Sequence, residues 1–328
     1  MRSKTKDRGN AYRRAVAAAA TLAALSSPPR AEVFDWGFHF VEEPVSARHL
    51  AMGSAGTAMG GGGFFFYNPA QPFLRTSHYV SIEYGQLHGD LRRGRFETGW
   101  VLPNWYLAAG IPTSAVDDIV PADETGPNHN LPFSAQFSMI ALDVGYYKDR
   151  YSLALCLHGM QDKIEARSGY ALSLSAGAAM WAIPGKLSIG AAGFFPKAIT
   201  TTKGMLGSTD EWGEGADLPQ LGRVGAAWRD TLKGIAYTTA LDVTYRHEDK
   251  NVTVPVGVEV WPLPMLAVRA GKRIGHDTEI VNLGLGLRMA PAAVDAGFVV
   301  SRLVEDTELK WLMGLTYALG HKEGEHPE

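Results

Sequence analysis

Past residue 76 the chain is built from stretches of about ten residues in which apolar positions alternate with small or polar ones, each ended by turn-forming residues. In Val281, Leu283, Leu285, Leu287 and Met289 the odd positions are apolar, and Asn282, Gly284, Gly286 and Arg288 fill the even ones. Leu309, Trp311, Met313, Leu315, Tyr317 and Leu319 repeat the pattern, with Lys310, Gly314, Thr316 and Ala318 between them. A period of two puts the two sets on opposite faces of a strand. The pattern predicts fourteen strands, near 78–87, 95–103, 105–113, 134–147, 151–163, 170–182, 186–197, 219–229, 234–247, 251–261, 265–274, 279–289, 293–302 and 309–320. An even number of strands of this length, each able to cross a bilayer at a tilt, reads as an all-β chain folded into an antiparallel transmembrane barrel.

The connections differ in kind. Residues 261–264 and 290–292 are tight and proline-containing, whereas 115–132 and 200–218 are long and polar. Short turns are expected on the periplasmic side and long loops outside the cell. A soluble sandwich or propeller also alternates, but it shows Lys, Glu and Thr to water, and here the polar face is mostly Gly, Ala and Ser.

The first residues place the barrel in an exported protein. Arg2, Lys4, Lys6, Arg8, Arg13 and Arg14 precede the apolar run Ala15 to Leu25, which meets Ser26, Ser27, Pro28 and Pro29. This is a signal-peptide layout, with cleavage expected after Ala31. The expected division is therefore a signal peptide at 1–31, an N-terminal plug or hatch segment at 32–76, the outer-membrane barrel at 77–320 and a polar tail at 321–328.

Composition removes several alternatives. A net charge of −3 without a basic stripe argues against nucleic acid, and no downstream apolar run of about 20 residues would make a helical span. The single cysteine, Cys156, excludes an intramolecular disulfide; alternating with Leu153, Leu155 and Leu157, it reads as a small lumen-facing packing residue. His78, His88, His158 and His247 are scattered without a partnered nucleophile motif, so no enzyme is expected. The run from His321 to His326 lacks the zinc-hydrolase spacing, and Gly60 to Gly63 lack the Gly-Lys-Ser/Thr ending of a phosphate loop. No cofactor and no metal are expected.

If the apolar face meets lipid, the other face brings Asp242, Glu259, Arg269, Arg273, Arg288, Asp295 and Lys310 into the lumen. Adjacent strands lie about 4.8 Å apart, so acids and bases can pair across them as a charge ladder. Mixed signs argue against a selectivity ring and for a lumen closed by paired side chains or a plug.

The stretch before the first strand lacks alternation: Ser46 to Ala58 is rich in small residues, Gly60 to Gly63 follow, then Phe64-Phe65-Phe66 and Tyr67-Asn68-Pro69-Ala70. Small residues allow close packing against a wall, and four glycines before three phenylalanines predict a mobile apolar plug. Phe64, Phe65, Phe66, Tyr67, Asn68 and Pro69 are the candidate hatch and ligand pocket.

These residues carry a resemblance. Ala47 to Ala58 and Tyr67 to Ala70 resemble the FadL-like outer-membrane barrels, and within them the PorV/PorQ group, whose mature N-terminus reads G-A-R-x-L-G-M-G-x-A and then Y-x-N-P-A. Val256 to Trp261, Leu266 to Gly271 and Leu283 to Leu287 are similar to that group's last strands. Ala51 replaces a usual Gly, and Gln71-Pro72 follow the N-P-A in place of Gly-Leu. The resemblance implies a 14-stranded barrel with its N-terminal segment folded inside. It also implies a role either in transport of hydrophobic small molecules, as in long-chain fatty-acid transporters, or in type IX protein secretion; a purely structural barrel is the third reading. Expected partners are outer-membrane lipid and a hydrophobic ligand, or a secretion-machinery protein held by Val116 to Leu131 and Thr201 to Leu218, with Trp212 as anchor.

Overall fold

The computed structural model describes residues 39–74, 77–87, 90–119, 122–123, 126–127, 132–164, 167–206, 211–214, 218–276, 279–303 and 306–319. The expected signal peptide at 1–31, the expected tail at 321–328, His88 and the Trp212 side chain lie outside this set.

Fourteen strands close into an antiparallel barrel. In chain order the strands are β1 (His78–Leu87), β2 (Leu91–Leu102), β3 (Trp105–Ile119), the two-residue β4 (Ala122–Asp123) and β5 (Gly126–Pro127), β6 (Phe133–Lys148), β7 (Tyr151–Ile164), β8 (Arg167–Ile183) and β9 (Leu187–Phe194). They continue as β10 (Thr201–Leu206), β11 (Glu211–Glu214), β12 (Leu221–Leu232), β13 (Ile235–Arg246), β14 (Val252–Leu263), β15 (Leu266–Ile274), β16 (Glu279–Met289), β17 (Ala292–Leu303) and β18 (Asp306–Leu319). β4 and β5 pair only with each other, and β10 and β11 form a hairpin outside the closed wall. Closure comes from β1 on β18, in register from His78 opposite Leu319 to Gln86 opposite Trp311. With every wall strand paired on both sides, no edge is left in the apolar layer.

Alternation sets the two faces. Along β7, Leu153, Leu155 and Leu157 are exposed while Ser152, Cys156 and His158 are buried. Along β16 and β18, Leu283, Leu285, Met289, Leu309, Met313 and Leu315 point outward in the same way. An outer surface covered by Leu, Ile and Val around the whole barrel far exceeds the apolar patches a water-exposed protein tolerates, and it fits a bilayer. Outward aromatics cluster near both rims: Trp100, Trp105, Tyr151 and Tyr317 at one, Tyr84, Trp311, Tyr170 and Tyr245 at the other. These are the girdles of an outer-membrane barrel, whose crossing elements are strands; no helix among the described residues is long and apolar enough to cross.

The rims differ. Connections 103–104, 149–150, 184–186, 233–234, 264–265 and 290–291 sit at one rim with His78 and Leu319. The long excursions after Ile119 and Phe194 sit at the other. Within 200–218, where the pattern predicts a loop, Thr201–Leu206 and Glu211–Glu214 form the β10–β11 hairpin, and β10 pairs with β8 from Thr201 opposite Leu172 to Gly204 opposite Gly169. β8 outruns β9, which pairs with it only from Ser175 onward, so the unpaired backbone of β8 takes β10 as a new neighbour. The strand expected to reach residue 197 ends at Phe194. Phe195 has φ 52° and turns its ring into the barrel.

Ahead of β1, residues 39–74 carry two short helices, α1 (Ala47–Ala51) and α2 (Phe64–Tyr67), and two 3-10 turns, His39–Val41 and Gln71–Leu74. Side chains or backbone atoms of this segment meet inward-facing residues of β1, β2, β3, β9, β13, β14 and β16, so it runs through the lumen. The wall makes room with glycine. A methyl group on Gly257 would stand 2.5 Å from the Met52 carbonyl oxygen, and one on Gly271 would overlap the Gly53 nitrogen.

Candidate functional site

A segment with only short helices and turns brings unpaired backbone N–H groups into a buried space, and each needs an acceptor. The wall supplies carboxylates. Glu83 on β1 accepts the Ala47 N–H at 2.7 Å, and Glu97 on β2 accepts the Gly63 N–H at 2.5 Å and the Tyr79 hydroxyl at 2.6 Å. Asp242 on β13 takes three donors on one oxygen: the Gly56 and Thr57 N–H groups at 2.7 and 2.8 Å and the Thr57 hydroxyl at 2.8 Å. Wall donors serve the carbonyls in the same way. Asn282 donates to Leu50, Ser188 to Ala58 and Tyr106 to Pro69, at 2.9, 2.6 and 2.9 Å.

Arg48 ties the segment to the charge system of the wall. Its guanidinium forks onto Glu259 at 2.7 and 2.9 Å and donates to the Gly60 carbonyl at 2.7 Å. Glu259 also accepts from Arg269 at 2.6 Å, and Arg269 reaches Asp295 at 2.7 Å. Three of the residues expected in a ladder, Glu259, Arg269 and Asp295, are therefore joined in one chain of ion pairs, with Arg48 added. The others stand apart. Asp242 holds the 56–57 turn and no wall base; Arg273 pairs with Glu279; Lys310 is buried on β18; Arg288 lies at the turn-side rim over the Trp261 ring, 4.4 Å from its centroid. Adjacency of strands alone does not decide pairing, because the segment competes for the same carboxylates.

The first hairpin carries a second cluster that the alternation reading passed over. Arg95 bridges Glu83, at 2.6 Å, and Glu97. Arg93 donates to Ser114 at 2.8 Å and lies over the Phe66 ring at 5.2 Å. The signal was available: Ser81, Glu83 and Gly85 occupy alternate positions of β1, the parity that faces inward.

The candidate hatch residues are all buried. Phe64, Phe65 and Phe66 meet edge to face at 5.0 and 5.1 Å. With Val41, Val45, Phe137, Met139, Met160, Phe194 and Phe195 they form an apolar cluster inside the barrel toward the loop side. Tyr67 lies against the His49 ring at 4.3 Å. Asn68 is a clamp: its amide donates to Thr57 and Ala178 carbonyls at 2.8 and 2.9 Å, and its carbonyl accepts the Ala70 N–H. Cys156 is buried in the same cluster.

On the turn side of the segment the lumen opens into a cavity of about 1130 Å³. Its inner end is formed by Gly60, Gly61, Gly62 and Arg48, and its walls carry Arg229, Glu259, Arg269 and Arg288. The lumen thus holds a packed apolar cluster toward the loops, to which the N-terminal segment itself contributes, and a charged vestibule toward the turns.

No family model matches this sequence, and neither does any curated protein. Solved structures do match in shape. The barrel superposes on the P. putida toluene transporter TodX with a TM-score of 0.60 at 9% identity, over 86% of this chain and 100% of that one. The Ralstonia pickettii toluene transporter TbuX gives 0.58 at 10% identity, over 85% and 99%, and a Pseudomonas aeruginosa FadL homologue gives 0.51 at 9%, over 83% and 98%. The likeness is one of fold. The shared architecture leaves the role open, and the chain's own side chains must say what the lumen does.

Proposed function

We propose that this protein carries hydrophobic small molecules across the outer membrane, with the N-terminal segment acting as a hatch. The observation that carries the reading is the division of the lumen. An apolar cluster rich in Phe and Met faces the loop side, a polar cavity faces the turn side, and the barrier between them includes the side-chain-free Gly60 to Gly63. A hydrophobic solute entering from outside would find apolar lining first, which favours its partition from water, and would need only segment movement to pass. That the barrels of like fold include toluene transporters and a FadL homologue agrees with this reading. A secretion role of the PorV/PorQ kind rests only on the sequence resemblance of Ala47 to Ala58 and Tyr67 to Ala70, with that of Val256 to Trp261, Leu266 to Gly271 and Leu283 to Leu287.

A disulfide lock tests the hatch. Thr57→Cys with Asp242→Cys, in a Cys156→Ser background, replaces side chains whose oxygens lie 2.8 Å apart. In cells with an intact outer membrane, uptake of a nonpolar fluorescent probe should rise on expression of the unlocked chain. It should fall to background in the oxidised lock and return with reductant. Uptake that ignores the lock, or that never exceeds that of cells without the protein, refutes the proposal.

A further inference from the structure

The lipid face of β6, β7 and β8 changes character in steps toward the loop rim. Register groups its outward side chains into rows. Val144, Leu155 and Ala176 lie side by side, then Leu142, Leu157 and Leu174, both rows apolar. The next row is Ile140, Gly159 and Leu172, the one after it Ser138, Gln161 and Tyr170, and the last Gln136, Lys163 and Ser168. Hydrocarbon, a gap, a neutral polar group and a cation thus follow one another along β7.

The gap is a groove of about 450 Å³. A methyl group on Gly159 would meet nothing within 4 Å, while Ile140 and Leu172 stand exposed on either side. The β10 strand borders the groove through Thr201, opposite Leu172, and Gln161 donates to the Tyr170 hydroxyl at 3.2 Å across its loop-side lip. Behind the groove, Met139, Met160 and Ala171 of the same strands turn inward and are buried in the apolar cluster, so it opens to the bilayer and not to the lumen. Lys163 stands exposed beyond the lip, and its cross-strand neighbours Gln136 and Ser168 are uncharged.

We infer that this groove is a binding site for a phosphorylated, multiply acylated glycolipid of the loop-side leaflet, with one acyl chain lying along Gly159 and a phosphate on Lys163. The groove is continuous with the lipid-facing belt, and a chain seated between Ile140 and Leu172 gains contacts on three sides where a flat wall offers one. Gly159 and Lys163 are about 13 Å apart along the strand. The row between them, with the Thr201 hydroxyl beside it, presents both donors and acceptors, as sugar hydroxyls and amides require. The ester groups of a phosphoglycerolipid only accept. The exposed ammonium then supplies a charge-assisted hydrogen bond to the phosphate. This site lies on the outer wall and does not depend on the transport reading.

The test is native mass spectrometry of the full folded chain in a neutral detergent, titrated with bisphosphorylated lipid A or with phosphatidylglycerol of equal chain length. Wild type should retain one lipid A, with an affinity that falls as salt rises. Gly159→Leu, which fills the groove from the lipid side, should bind it about tenfold or more weaker. Lys163→Gln should bind about tenfold weaker and lose most of the salt dependence. Gly193→Leu, on the outward row of β9, which carries no cation and where an added carbon also meets nothing within 4 Å, should bind as wild type does. Heat-modifiable gel mobility checks that each variant folds; should Gly159→Leu fail there, Lys163→Gln and the salt series decide alone. Lipid A held equally by wild type, Gly159→Leu and Lys163→Gln, or held at no defined stoichiometry, overturns the site. Phosphatidylglycerol retained as tightly as lipid A overturns the glycolipid assignment. Either failure leaves the hatch and hydrophobic transport standing.

Discussion

Replacing Asp242 by Ala removes the acceptor of three buried hydrogen bonds from Gly56 and Thr57, while the β12–β13 and β13–β14 ladders that hold its backbone stay intact. A hydrogen bond to a charged acceptor contributes about 1.5–3 kcal/mol, and a buried donor left alone costs about 1–3 kcal/mol. Against this stands the relief of no longer burying a carboxylate. The expected net loss is about 3 kcal/mol of local stability, or about a hundredfold in the opening equilibrium of the 56–57 turn. Hydrogen exchange followed by mass spectrometry reads this directly: peptides covering 54–60 should exchange about a hundredfold faster, and those of β13 and β14 at their former rate. Uniform acceleration of segment and wall would mean that the carboxylate stabilises the barrel as a whole. No change at 56 and 57 would mean that the segment is held by packing. Either result refutes the view that wall carboxylates fasten the hatch.

Three further outcomes are expected. Gly257→Ala and Gly271→Ala should loosen residues 52–53 by about 1–3 kcal/mol of overpacking, whereas Gly193→Ala and Gly222→Ala, whose added carbon meets nothing within 4 Å, should be silent in the same exchange experiment. Leu155→Arg on the lipid face should cost about 2–4 kcal/mol in urea unfolding from lipid vesicles, a cost that an outward, water-facing position would not show. Burial pushes the Tyr67 phenol up to about 12 from an ordinary value of 10. Because the folded chain holds this proton more tightly, the residue's contribution to stability is complete below about pH 10 and is lost as pH rises through 12. Ultraviolet titration of wild type against Tyr67→Phe should show one late-ionising tyrosine missing from the variant.

The wall was legible in the sequence because a strand's faces are a local property. Val281 to Met289 and Leu309 to Leu319 state by their own alternation which side meets lipid, and fourteen such runs set the strand number. Breaks in alternation blurred the ends: Phe194-Phe195 read as strand, while the latter turns inward at φ 52°. The inward charges were legible as a set, since parity names them, but not as pairs. Glu83 finds Ala47 across 36 positions, Asp242 finds Gly56 across 186 and Asn282 finds Leu50 across 232. Such partners are chosen by closure of the barrel around the N-terminal segment, where each buried N–H must take the nearest acceptor and each buried carboxylate the nearest donor. By itself the sequence determined a barrel and the sign of each of its faces. Tertiary structure alone decided which carboxylates fasten the segment, because desolvation makes pairing obligatory only between groups that folding brings together.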